Sequence, residues 1–131
     1  MALKKDTLTK AQKAELEQLR PFIVRQGLQP IMTGANWRSA LDAVIAVEGF
    51  SGKYRYRGVR DQSDPGPNDW IGPLPEGLPL YNFIEWLEVS TEVPGKGSVS
   101  NAIKQALDAT KINFTETAGG IRIYGYKRHK T

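Results

Sequence analysis

The stretch Phe83-Ile84-Glu85-Trp86-Leu87-Glu88-Val89 constrains this chain most. β-Branched and aromatic residues dominate it, with two carboxylates set among them, which is the composition of a strand. A strand needs partners, and the late run Gly120-Ile121-Arg122-Ile123-Tyr124-Gly125-Tyr126 supplies one. A helix-like segment lies between the two, so the second half reads strand–helix–strand–strand. No constellation of residues names a reaction.

A chain of 131 residues is long enough for one domain with its own core. Cysteine is absent, which excludes disulfides, thiolate zinc sites and a cysteine nucleophile. No apolar run approaches bilayer length, and the N-terminus lacks a signal-peptide core, so a cytoplasmic protein is expected and no membrane partner. Residues 1–8 and 127–131 are expected to be flexible ends of that single domain.

Helix punctuation is clear in three places. Thr9 and Gln12 have capping-box spacing, and Leu16, Leu19 and Ile23 recur at helical spacing. Pro21 interrupts, so residues 10–26 read as one or two short helices, with Gly27 closing the segment. Asn36 is a good N-cap for a second helix over 36–48, whose apolar stripe is Trp37, Leu41, Val44 and Ile45. Trp37 reads as a core anchor. Ser98 or Ser100 caps a third helix over 99–110, carrying Val99, Ile103, Ala106 and Leu107.

Strand signals fill the gaps between the helices. Lys53-Tyr54-Arg55-Tyr56-Arg57 alternates strictly, with tyrosines on one face and basic residues on the other. Ile112–Glu116 alternates as well, and Ala118-Gly119-Gly120 turns the chain into Ile121–Tyr126. Pro94-Gly95-Lys96-Gly97 is a turn; it lacks the spacing of a phosphate loop. These elements predict an α+β fold: an antiparallel sheet of four to five strands with helices packed on one face.

Residues 61–80 stand apart. Five prolines fall there, and every charge is acidic: Asp61, Asp64, Asp69 and Glu76. The segment has room for one short strand at Asn68-Asp69-Trp70-Ile71. Loops this long in a compact domain are functional or disordered, and Trp70, Ile71, Leu74 and Leu78 argue against disorder.

Catalytic chemistry finds no support. The one histidine, His129, lies in a basic tail and reads as solvated. Strict alternation sets Glu85 and Glu88 on opposite strand faces, so they are not expected to act as a pair. Each carboxylate must still sit near apolar side chains. A cross-strand salt bridge to Arg55, Arg57 or Arg122 is the preferred explanation, over an acid of raised pKa, because no second catalytic group is visible. No cofactor and no metal is expected, since the loop carboxylates lack metal-ligand spacing.

The net charge of +4 permits nucleic-acid binding without selecting it. Arg55, Arg57 and Arg122 on strands, with Lys127 and Arg128 in the tail, define the face that such binding would use.

The pattern Asn36-Trp37-Arg38 opening a helix, then Tyr54–Arg57, Phe83–Val89 and Gly120–Tyr126, resembles a family of small bacterial proteins of unknown function over roughly residues 36–126. The resemblance implies no catalytic residues. Small bacterial proteins of this kind are often immunity partners of toxins or phage and defence accessories, an association with a class. The expected function is therefore protein binding, with an immunity protein that neutralises a basic toxin domain as its specific form. Asp61, Asp64, Asp69, Trp70 and Ile71 are the expected contact residues, since prolines restrict the free loop and Trp70 offers an apolar anchor. RNA or DNA binding is the alternative.

Overall fold

The computed structural model describes residues 9–61, 63–66 and 68–128. Helix α1 spans Lys10–Gln26 behind a Thr9 cap: the Gln12 amide donates to Thr9 Oγ1 at 3.1 Å, and the Thr9 amide to Gln12 Oε1 at 2.9 Å. Pro21 does not end it. Pro21 is exposed, while Leu19 and Ile23 on the other side pack against Leu28, Val59, Phe83 and Tyr126. Burial of that face holds the helix across the missing hydrogen bond.

Strand β1 (Leu28–Pro30) follows, in what reads locally as a connection. Helix α2 spans Gly34–Ile45. Thr33 is its cap, and Asn36, expected there, is instead the N3 partner of a second capping box, with 3.1 and 2.9 Å bonds. Trp37, Ala40, Leu41 and Val44 are buried along α2. Helix α3 (Ser100–Thr110) starts at Val99 without a side-chain cap on that residue. It buries Ile103 and Leu107.

A four-stranded antiparallel sheet carries the rest. Strands β2 (Tyr54–Gly58), β3 (Ile84–Ser90), β6 (Phe114–Thr117) and β7 (Gly120–Tyr124) lie in the order β2-β3-β7-β6. A hairpin, β4 (Glu92–Val93) and β5 (Gly97–Ser98), turns through Pro94-Gly95-Lys96. The predicted strand 120–126 is two strands: β7, and β8 (Tyr126–Arg128), which leaves the sheet to pair with β1. Gly125 separates them. A Cβ there would lie 2.7 Å from the Ile84 carbonyl oxygen and 2.8 Å from the Trp37 ring, so only glycine lets the chain pass.

One sheet face carries Tyr54, Leu87, Val89, Ile121 and Ile123, and these join Trp37, Val44, Ile103 and Leu107 in the main core. Every residue of β3 is buried, which matches its place inside the sheet with both faces covered. The segment 61–80 contributes one bridge, Ile71 to Tyr54, and buries Leu74.

Candidate functional site

The opposite sheet face is charged. Register sets Arg55 opposite Glu88 and Glu88 opposite Arg122, so one row across β2, β3 and β7 reads Arg–Glu–Arg. The Glu88 side chain is fully buried. Its Oε2 accepts from Arg55 Nη2 at 3.1 Å and Thr117 Oγ1 at 2.8 Å; its Oε1 accepts from Arg122 Nη2 at 3.0 Å and Nε at 3.3 Å. Burial alone would raise the Glu88 pKa, but the bonds from Thr117, Arg122 and Arg55 outweigh it and hold the carboxyl below its ordinary value. The guanidiniums also stack: Arg122 lies 3.7 Å from the centre of the Trp86 ring, and Arg55 4.2 Å from that of Trp70.

A bulge alters the expected face of Glu85. Gly58 pairs with Ile84 and Arg57 with Trp86, so Glu85 is an extra residue in β3. It turns toward the charged face, where its Oε1 accepts from Arg57 Nε at 3.2 Å. Glu85 and Glu88 are therefore on the same side of the sheet, not on opposite sides. Both pair with arginines of neighbouring strands, as the apolar setting of the carboxylates requires.

The acidic loop crosses this face and is fastened to it. Asp64 Oδ1 accepts from Arg57 Nη1 at 2.8 Å, and the Asp61 carbonyl from Arg57 Nη2 at 2.8 Å. Arg55 Nη1 donates to the Gly66 carbonyl at 2.7 Å. Asp61 and Asp69 brace the loop itself, accepting from the Gly58 amide at 2.7 Å and the Gly66 amide at 2.6 Å. Trp70 is half-buried over Arg55, and Ile71 is 46% exposed beside its bridge to Tyr54. The loop carboxylates and the strand arginines, which the sequence presents as two separate surfaces, form one assembly. In it Arg55, Arg57 and Arg122 meet Glu85, Glu88 and Asp64, three positive charges against three negative. Asp64 and Glu85 together outweigh the effect of burial on Arg57, whose pKa is raised.

Next to the loop lies a cavity of about 680 Å³, walled by Arg57, Asp64, Glu85, Trp86, Tyr124 and Tyr126. Lys127 is exposed and also lines it. Arg128 pairs through its backbone with Leu28, so 127 and 128 belong to a strand. His129 and the rest of the tail, like residues 1–8, lie outside the described residues. Trp86 and Thr117 join the site without having been expected there, whereas Tyr124 belongs to the mix of tyrosines and arginines on the sheet strands that nucleic-acid binding would use. The two-residue period of β7 sets Tyr124 on the face of Arg122, while nothing local marks Thr117, which reaches Glu88 only in the fold. Among the described residues, no group of three or more His, Cys, Asp or Glu could hold a metal ion. No described helix is long and apolar enough to cross a membrane.

Fold and site together define a small α+β domain whose charged sheet face is strapped by its own acidic loop. The chain belongs to a family of unknown function (DUF6678), which matches residues 19–130. The match begins at Leu19, inside α1, so the family includes part of the N-terminal segment that precedes the Asn36-Trp37-Arg38 pattern. No curated protein and no solved structure matches the chain.

Proposed function

We propose that this protein is a protein-binding module with residues 61–71 as its recognition element. One observation carries the reading: the loop is held in place yet turned outward. Arg55, Arg57 and the Tyr54–Ile71 bridge tie it to β2, while Asp61, Asp64, Asp69 and Ile71 lie exposed. The Asp64 side chain is 60% exposed even with its ion pair made. A loop ordered before binding loses less entropy on association. Its carboxylates suit a basic partner surface, and Ile71 adds an apolar contact. Neutralisation of a basic toxin domain is the narrower form of this proposal. Nucleic-acid binding ranks below it, because Arg55, Arg57 and Arg122 already hold carboxylates that a phosphate would have to displace.

Affinity capture from the native host tests this with the full chain, Asp64→Ser and Ile71→Ser. The expected result is one protein retained by the unsubstituted chain and lost by both variants, with melting temperatures nearly unchanged. Recovery of nucleic acid in place of a protein, or capture by both variants at full level, rejects the proposal.

A further inference from the structure

A second cleft, of about 730 Å³, opens between Trp70 and the β4–β5 hairpin, a volume in the usual range for ligand sites. Its lining includes Ser51, Ser90, Ser98, Lys53 and Glu92. We propose that this cleft binds a short neutral saccharide, independently of the recognition loop's exposed carboxylates.

The argument starts from the serine protons. Ser51 Oγ accepts from the Lys53 amide at 3.2 Å, Ser90 Oγ from the Glu92 amide at 3.3 Å, and Ser98 Oγ from the Ser100 amide at 3.0 Å. Each backbone bond orients its hydroxyl while leaving the O–H proton to be donated. No described residue takes any of the three protons. The lining thus offers three hydroxyl donors.

Charge then selects among ligands. Lys53 and Glu92 make no ion pair among the described residues. Glu116, also in the lining, is held by Ser100 and Lys104, whose bonds keep its pKa below the ordinary value. With Glu116 neutralised by Lys104, the charges the cleft offers are one lysine and one carboxylate, Lys53 and Glu92, a balance that favours a neutral ligand over an anion. A sugar hydroxyl both donates and accepts, so it can use the serine protons and the Lys53 ammonium on one side and the Glu92 carboxylate on the other. Trp70 lines the same cleft and supplies a flat apolar surface for the C–H side of a sugar ring.

Backbone amide NMR of the full chain, titrated with maltose, cellobiose and diacetylchitobiose and separately with inorganic phosphate, tests the site. At least one disaccharide should give saturable shifts at the Lys53, Glu92 and Ser100 amides, with a dissociation constant of about 1 mM. Ser98→Ala should weaken binding about tenfold, the loss of one hydrogen-bonding group. Trp70→Ala should abolish it, and Trp70→Phe should keep part of it if the ring is the contact. Asp64→Ser should leave it unchanged, which separates this site from the exposed carboxylates of the recognition loop. Saturable shifts with phosphate but with no disaccharide, no saturable shift at all, or binding indifferent to Ser98→Ala would overturn the proposal.

Discussion

The carboxylate of Glu88 occupies the space above Gly120: a Cβ on Gly120 would lie 2.7 Å from Glu88 Oε2 and 2.9 Å from the Val89 carbonyl oxygen. The Arg–Glu–Arg row therefore depends on a residue without a side chain in the neighbouring strand. Gly120→Ala must move Glu88 off its arginines or part β7 from β3. A loss of about 1–3 kcal/mol is expected from overpacking of this kind. Urea unfolding measures it, and an unchanged midpoint would show that the space is not needed.

Glu88→Gln should be worse. It leaves Arg55 and Arg122 on either side of a buried neutral side chain, without the charge that holds both. Breaking a buried pair from one side costs about 3–5 kcal/mol. Glu116→Gln removes an exposed carboxylate paired with Lys104 and should hardly move the midpoint. Comparing the two variants by denaturation separates buried from surface pairing; equal effects would refute the distinction.

Stability should depend on pH through the same residue. The folded pKa of Glu88 lies below its ordinary 4.5. Its contribution is thus fully present above that value and lost as pH falls through the folded pKa. Glu88→Gln should flatten this acid limb. Burial raises the pKa of Tyr54, Tyr56 and Tyr126 above the ordinary 10.0, so a second loss is expected as pH rises past that point. Melting temperature across pH reads both limbs, and an acid limb equally steep with and without Glu88 would count against the assignment.

The cap of α2 gives a local test. The Thr33 hydroxyl accepts from the Asn36 amide, and Asn36 Oδ1 accepts from the Thr33 amide. Thr33→Ala should cost about 0.5–2 kcal/mol. Asn36→Ala should cost less, because the Thr33 hydroxyl still caps the helix. The reverse order by thermal unfolding would make Asn36 the cap.

Much of this architecture is legible in the chain because its causes are short-range. The Thr9–Gln12 box, the apolar spacing of α2 and α3, and the composition of β3 act within a turn or a strand. From them follow the three helices, the antiparallel sheet and the apolar face that α2 and α3 cover. The need of buried carboxylates for arginines is equally local: Glu85 and Glu88 sit among apolar residues whatever the topology.

Tertiary structure decided the rest, because the causes lie far along the chain. One extra residue in a strand changes which side a carboxylate takes, and pairing with β2 places that residue at Glu85. Pro21 stays helical because Leu19 and Ile23 find Leu28, Val59 and Tyr126 to pack against. Strand β1 exists because Gly125 lets β8 leave the sheet and reach it. The acidic loop and the basic strands look like two surfaces in the sequence. Folding brings Asp64 to Arg57 and Trp70 to Arg55, and opposite charges held at hydrogen-bond distance make them one.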